Sequence, residues 1–340
     1  MRITTSMMSS KYIRNLNKSA NELNYLNEQV ATGRKFFKGS DDPVAAIKAY
    51  KLRREYRSTE TYNNNIKDVN SFLTSAETNM TEIGDNLKTV YTSYLRGING
   101  TMGQEEREAI AQELENVQAS ILTSLNAKFE DKYVFGGTSK DKLPFTVENG
   151  ELFFKGVNVN TGLDKDENAV DSTLEQLSNE KTYIDLGLGM TFNGTNLNED
   201  TVFNISMSGI SFMGYGTQGT DYEGKDIPKN LYNLIGKIKD TLRDDNYSLE
   251  KITPYLETFE EQKNNVLVAV TDIGAKTNYL DFLELRNEDN QFNLNEKMLE
   301  VEQVDPAEAI VNFKMQEYSY NAALSMGNKI LQNSFIDFMK

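Results

Sequence analysis

The sequence predicts a mainly α protein with a β-rich inserted domain, in which the N- and C-terminal regions form an elongated helical bundle. Three observations carry that reading. Glycine is confined: of 22 glycines, 13 fall between Gly136 and Gly224, against 6 before that window and 3 after it. An interior helical glycine costs about 1 kcal/mol relative to alanine, so the flanks suit long helices and the middle does not. Both flanks also carry apolar residues at alternating spacings of four and three, the mark of helices that pack along a seam. The middle instead carries aromatic and β-branched runs between Gly and Asn turns.

The first helix carries the line Tyr12, Leu16, Ser19, Leu23, Leu26, Val30. Gly33 and Gly39 bracket a turn, and Asp42-Pro43 starts the next helix, Asp as N-cap and Pro in the first helical position. That helix holds the most regular seam: Tyr62, Ile66, Val69, Leu73, Ala76, Met80, Ile83, Leu87, Val90, Tyr94, with Gly84 off the line. Gly97, Gly100 and Gly103 end it. Glu105-Glu106 favourably open a further helix with the line Ile110, Leu114, Val117, Ile121, Leu125, Phe129, and the two helices are expected to form an antiparallel hairpin. Gly136-Gly137 marks the exit into β structure, where positive φ is needed. Glu151–Val159 and Thr201–Met207 read as strands, Leu174–Leu177 and Leu231–Leu242 as short helices. From Pro254 onward the pattern is helical again, with the stripe Val266, Val270, Ile273, Leu280. The last line is Ile310, Phe313, Glu317, Tyr320, Leu324, Gly327, Leu331, Ser334, Phe338, which Glu317, Gly327 and Ser334 interrupt.

The expected domains are therefore a terminal assembly helix and turn (1–40), a long helical hairpin (41–135), a β-rich insert (136–250), a C-terminal core helix (251–300) and a C-terminal assembly helix (301–340). The chain goes out and comes back, which places both termini at one end.

Composition excludes much chemistry. The 340 residues contain no His, Cys or Trp. No Ser-His-Asp or Cys-His nucleophile, imidazole base, thiolate zinc site or disulfide is available. No catalytic, cofactor or metal residues are assigned. Net charge is −15, which disfavours duplex DNA and anionic membranes as partners. Within that total, residues 1–60 hold 12 Lys/Arg against 6 Asp/Glu, while 284–308 hold 8 acidic residues against 2 basic ones. The two stretches either attract each other or are two solvated faces of different bias. The longest clear apolar run, Val266–Val270, is far short of a membrane span. Met1–Asn15 is followed by no apolar block of a cleavable signal peptide, so export, if it occurs, is expected by another route. Asp164, Asp166, Asn168, Ser172 and Glu175 sit at calcium-loop spacing, but Ala169 replaces the glycine such a loop needs, and a solvated acidic turn is the favoured reading.

Three stretches carry a family resemblance: Met1-Arg-Ile-Thr-Thr-Ser-Met-Met; Thr32-Gly-Arg-Lys with Gly39-Ser-Asp-Asp-Pro-Val-Ala-Ala; and Tyr133-Val-Phe-Gly-Gly-Thr with Pro144-Phe145 behind it. Together they resemble the hook–filament junction family of the flagellin superfamily, over about 1–145 and, through Ala322-Ala-Leu-Ser and Leu331-Gln-Asn-Ser-Phe, over 255–340. The resemblance implies a flagellin-like bundle and a structural, non-enzymatic role. It implies an extracellular place in the bacterial flagellum, reached through the flagellar type III route without a cleavable signal peptide. It implies as partners a neighbouring hook-associated protein (FlgK class), flagellin, further copies of the chain in a ring and, before export, a cytoplasmic chaperone (FlgN class). The expected subunit or chaperone interface is Tyr12, Leu16, Leu23, Leu26, Val30, Tyr320, Leu324, Leu331, Phe335 and Phe338. The alternatives are a flagellin that polymerises in bulk, a glycan-binding or hydrolytic insert on a flagellin-like core, and an intracellular coiled-coil scaffold. The last has no reason to carry the three motifs.

Overall fold

The computed structural model describes residues 5–98, 102–170, 173–194 and 196–336, with side chains from Met7 to Gly327 within those ranges, Asn196 excepted. The chain opens with helices α1 (Thr5–Thr32), α2 (Pro43–Ile98) and α3 (Gln104–Leu125). Short elements follow. Strands β1 (Lys128–Phe129) and β2 (Lys132–Tyr133) form one hairpin, and β3 (Phe145–Glu148), β4 (Glu151–Phe154) and β5 (Val157–Asn158) a three-stranded antiparallel sheet. After helix α4 (Leu174–Ser178), strand β6 (Tyr183–Ile184) pairs across a hairpin of β7 (Phe192–Asn193) and β8 (Asn196–Leu197) with β9 (Phe203–Asn204). Helix α5 (Gly209–Met213) precedes the antiparallel pair β10 (Thr217–Thr220) and β11 (Asp226–Pro228). The chain then returns through α6 (Leu231–Arg243), α7 (Leu249–Ile252), α8 (Tyr255–Glu302) and α9 (Pro306–Ile336).

The chain forms two units: residues 1–60 with 288–340, and residues 61–287. In the second, the expected seam of α2 is the core. Every seam residue from Ile66 to Tyr94 is at most 4 % exposed. Two partners cover it. Helix α3 lies antiparallel, with Asn86 Nδ2 donating to Ser120 Oγ at 3.0 Å and Ser93 Oγ donating to Glu113 at 2.9 Å. Helix α8 is also antiparallel to α2: Asn70 reaches Asp281 at 2.8 Å and the Tyr91 hydroxyl reaches Glu260 at 2.7 Å. Helix α6 covers α3, and Arg243 holds Glu108 and Glu115 at 3.0 Å each. Isolated sheets of two or three strands are marginal in water. Here their apolar residues, Phe145, Phe154 and Val157 among them, belong to the same buried cluster as the helices, which supplies the cover they lack.

Two expectations are corrected. Phe129 does not continue the α3 line. The helix stops at Leu125 because Asn126 exchanges two hydrogen bonds with the backbone of Phe145, at 3.0 and 3.1 Å. The chain then turns through Glu130 and Asp131 at positive φ, and Phe129 sits in β1 with its ring edge-on to Phe72. Thr201–Met207 is not one strand: only Phe203–Asn204 pairs. The Asn204 carboxamide oxygen accepts from the Thr182 and Ser206 amides and bends the chain away.

In the first unit, α1 and α9 pair antiparallel. The Tyr12 hydroxyl donates to the Ala323 carbonyl at 3.0 Å, and Gln316 Nε2 donates to the Ser19 carbonyl at 3.2 Å and to its Oγ at 3.0 Å. A small second cluster joins the start of α2 to the end of α8: Ala49, Leu52 and Val301 are buried, with Phe36, Leu294 and Met298 against them.

Candidate functional site

The loop that joins α1 to α2 shows why its sequence reads as it does. Gly33 takes φ +68°, which ends α1. The chain then lies across the α8–α9 junction: Lys35 N–H donates to the Glu302 carbonyl at 2.7 Å and Val304 N–H to the Gly33 carbonyl at 3.0 Å. The Asp41 carboxylate accepts from the Phe37 and Lys38 amides at 3.2 and 2.9 Å, and these hydrogen bonds hold its pKa below the usual carboxylate value. Asp42 caps α2 through the Ala45 amide at 3.0 Å, as its position before Pro43 predicts. Asp305, also before a proline, caps α9 through the Ala307 amide at 2.8 Å. The basic and acidic stretches meet here through the ion pair of Arg53 with Glu302.

The Phe-Gly-Gly-Thr stretch is likewise structural. Phe135 is fully buried, and its carbonyl accepts from Gly209 N–H at 3.0 Å. Gly137 has φ +63° and lies against Glu180, where a side chain would collide with the carboxylate. Burial pushes Glu180 up, but hydrogen bonds from Lys155 and the Thr138 amide outweigh it and leave the carboxyl below its ordinary value. Asp164, read as the first position of an ion loop, accepts the amides of Asp166 and Asn168 at 2.9 and 2.8 Å, the pattern of a turn. Ser172 lies outside the described residues. Among the described residues no group of three or more acidic side chains is placed to hold a metal ion.

Of the expected interface residues, Tyr12, Leu16, Leu23 and Leu26 line the half-buried side of α1, and Tyr320 lies half-buried on α9. Val30 and Leu324 are exposed. Phe338 and the side chains of Leu331 and Phe335 lie outside the described residues. The facing row of α9 is shifted by one residue at alternate positions from the line read in the sequence. It is Ala309, Phe313, Gln316, Tyr320, Ala323, Gly327, again at spacings of four and three. Three of these six positions, Ala309, Ala323 and Gly327, carry small residues, which let the helices approach. Gly327 is not an interruption: it is buried, and a Cβ there would overlap the Tyr12 side chain.

That shift has a consequence for the opposite side. On α9, Val311, Met315 and Tyr318 stand bare, Tyr318 78 % exposed. On the first turns of α2, Val44, Ile47 and Tyr50 are exposed, and on α8 so are Phe292 and Leu299. The sequence reading missed these outer faces. Their signal was a second apolar row two positions from the first, which a single best line per helix conceals. No helix among the described residues is long and apolar enough to cross a membrane. The arrangement can pack helix on helix, and its exposed rows are the surface it offers for that.

Comparison with known proteins agrees with this geometry. Residues 3–140 match the bacterial flagellin N-terminal helical region. The chain is 22 % identical to flagellar hook-associated protein 3 of Salmonella typhimurium over 332 residues, 95 % of each chain. It is 21 % identical to flagellar hook-associated protein 3 of Escherichia coli over 333 residues, again 95 % of each. Among solved structures, a flagellar hook-associated protein from Vibrio parahaemolyticus superposes with a TM-score of 0.58 at 23 % identity, covering 77 % of this chain and 99 % of that one. Bacillus cereus FlgL superposes with a TM-score of 0.51 at 16 % identity, covering 73 % and 99 %. At these identities the structural likeness speaks to the fold.

Proposed function

We propose that this chain, which matches the bacterial flagellin N-terminal helical region over residues 3–140 and is similar along 95 % of its length to flagellar hook-associated protein 3, is a structural, non-enzymatic subunit that joins the flagellar hook to the filament. The observation that carries the reading is the α1–α9 pair. Among the described residues the two helices are each other's main helical partner, and the pair leaves the α1 seam half-covered and the outer row of α9 bare. Burying one Leu or Phe is worth roughly 1.5–3 kcal/mol before ordering costs, so neighbouring subunits that cover these rows supply the stability that two helices alone do not. Tyr12, Leu16, Leu23, Leu26, Val30, Tyr320 and Leu324, with Leu331, Phe335 and Phe338 beyond, are the residues assigned to that assembly or to a chaperone before export. The partners in this reading are a neighbouring hook-associated protein, flagellin, other copies of the chain in a ring and a cytoplasmic export chaperone. The protein leaves the cell through the flagellar export route.

The test is complementation. A strain lacking its own hook–filament junction protein sheds flagellin into the medium. This chain is expected to restore attached filaments, with antibody label confined to the hook–filament boundary. Label along whole filaments, or long filaments from the purified chain alone, would favour a flagellin. Absence from the flagellum altogether would sink the reading. Leu331→Asp or Phe338→Asp is expected to impair incorporation or chaperone binding while residues 61–287 stay folded. Normal attachment in both variants would remove these residues from the interface.

A further inference from the structure

We infer that the first turns of α2 and the last turns of α8 are the two complementary halves of one interface between copies of this chain, an inference that rests on the assembly reading above. The α2 half is a shallow groove of about 480 Å³ lined by Gly39, Pro43, Ile47, Tyr50, Lys51 and Arg54. Its floor is apolar, Tyr50 being 70 % exposed, and its rim is basic. Among the described residues neither Lys51 nor Arg54 has an ion pair or side-chain hydrogen bond, and both are exposed. The α8 half is a ridge with the opposite charge. Phe292, 63 % exposed, and Leu299 are its apolar knobs, and Glu296 and Glu300 lie beside them, exposed and equally without a partner among the described residues.

Both halves lie on the sides of their helices turned from the chain's own small core, although Leu299 also edges a pocket with Arg53 and Tyr56 of α2. The inward faces are occupied by Ala49 and Leu52 from α2 and by Leu294, Met298 and Val301 from α8. Two turns from Ile47 to Arg54 and two from Phe292 to Glu300 span matching lengths, at about 1.5 Å per residue. An aromatic centre with a charged rim is the anatomy of a specific protein interface, and opposite rims fix partner and register. The occupant is a second copy because the groove and the ridge that fits it are on the same chain. The groove of one subunit takes the ridge of the next. Such a heterologous contact propagates to a ring or helix and does not stop at a dimer.

The absence of cysteine from the sequence makes the test clean. Flagella are isolated from a complemented strain that expresses Ile47→Cys and Phe292→Cys chains together, and are then oxidised. The expected product is a disulfide dimer containing one chain of each kind, absent from flagella carrying either variant alone. Like-with-like dimers, or monomers only, would overturn the pairing. Charge reversal gives a second reading. Lys51→Glu/Arg54→Glu is expected to cut the number of attached filaments at least about tenfold, as unpaired like charges across an interface do. Adding Glu296→Lys/Glu300→Lys to the same chain is expected to restore it. No loss, or loss without rescue, counts against this surface while leaving the junction reading intact. Failure of the unsubstituted chain to attach filaments at all removes the junction reading, and this surface with it.

Discussion

Two seams in this molecule share one sequence rhythm and differ in what covers them. The α2 seam from Ile66 to Tyr94 is closed by α3 on one side and α8 on the other, and its residues are essentially inaccessible. Among the described residues the α1 seam from Tyr12 to Val30 meets one long helix, α9, and stays half-open, with Val30 exposed. A four–three spacing announces that a helix wants a partner. It does not say how many partners it has or whether they belong to the same chain. The closed seam is a core for one chain, and the open one is the seam that we propose assembly completes.

The sharpest way to break that contrast is to truncate both seams. Leu87→Ala removes a fully buried side chain and is expected to cost about 2–5 kcal/mol in urea unfolding of the isolated protein. Leu16→Ala is expected to cost under ~1 kcal/mol in the same measurement, yet to reduce incorporation into flagella. Equal losses in the monomer would mean the α1 seam is a core after all.

A larger side chain at the α1–α9 contact comes next. Gly327→Leu puts atoms where Tyr12 lies and is expected to separate the two helices. Hydrogen exchange should then show α1 amides losing protection while those of α2 between Ile66 and Tyr94 are unchanged. Unaltered exchange in α1 would show that the pair tolerates the bulk and that the close approach at Gly327 is incidental.

A smaller effect is expected at the end of the closed seam. The Tyr94 hydroxyl donates to the Ile252 carbonyl at 2.5 Å, and burial raises its pKa well above that of free tyrosine, with the neighbouring Tyr247 adding to the rise. A raised acid pKa means that the folded state holds the proton more tightly than the unfolded one. Its contribution is therefore full below about pH 10 and is lost as pH rises above that value. Tyr94→Phe is expected to cost about 1–3 kcal/mol at neutral pH, because the buried Ile252 carbonyl loses its donor. It should also flatten the alkaline loss of stability. An unchanged alkaline limb would assign that loss to other tyrosines.

The smallest change is expected at Arg53, whose pair with Glu302 is partly exposed. Arg53→Gln is expected to shift stability by less than ~1 kcal/mol, and less still in high salt. A large shift would mean that this pair, rather than the backbone contacts of Lys35 and Val304, fastens the loop to the α8–α9 junction.

Much of the fold was legible for reasons that act locally. Asp42 before Pro43 caps a helix wherever it stands, glycine thins helices over any stretch it crowds, and ten consecutive seam positions leave one face to bury. Phe129 and the Thr201–Met207 run were misread because the deciding groups, the carboxamides of Asn126 and Asn204, act on backbone that a propensity does not see. On α9 the apolar line in the sequence runs through the larger residue at two neighbouring pairs, Ile310 beside Ala309 and Leu324 beside Ala323. Helix approach is governed by what leaves room, so the alanines face α1 and the larger residues stay outside. The outer row of Val311, Met315 and Tyr318 was hidden for the same reason.

The sequence by itself determined that long helices flank a glycine-rich β middle, where they start, and that no nucleophile–histidine pair or thiolate site exists. These follow from backbone preferences and side-chain chemistry carried by single residues. Only the tertiary structure decided which seam is closed and which is open, because burial depends on how many surfaces converge on a helix, and that number is written in no one segment of the chain. It also turned Gly327 from a flaw in the seam into its contact point. A missing side chain has meaning only when the atom filling its place, here the Tyr12 hydroxyl, comes from far along the chain.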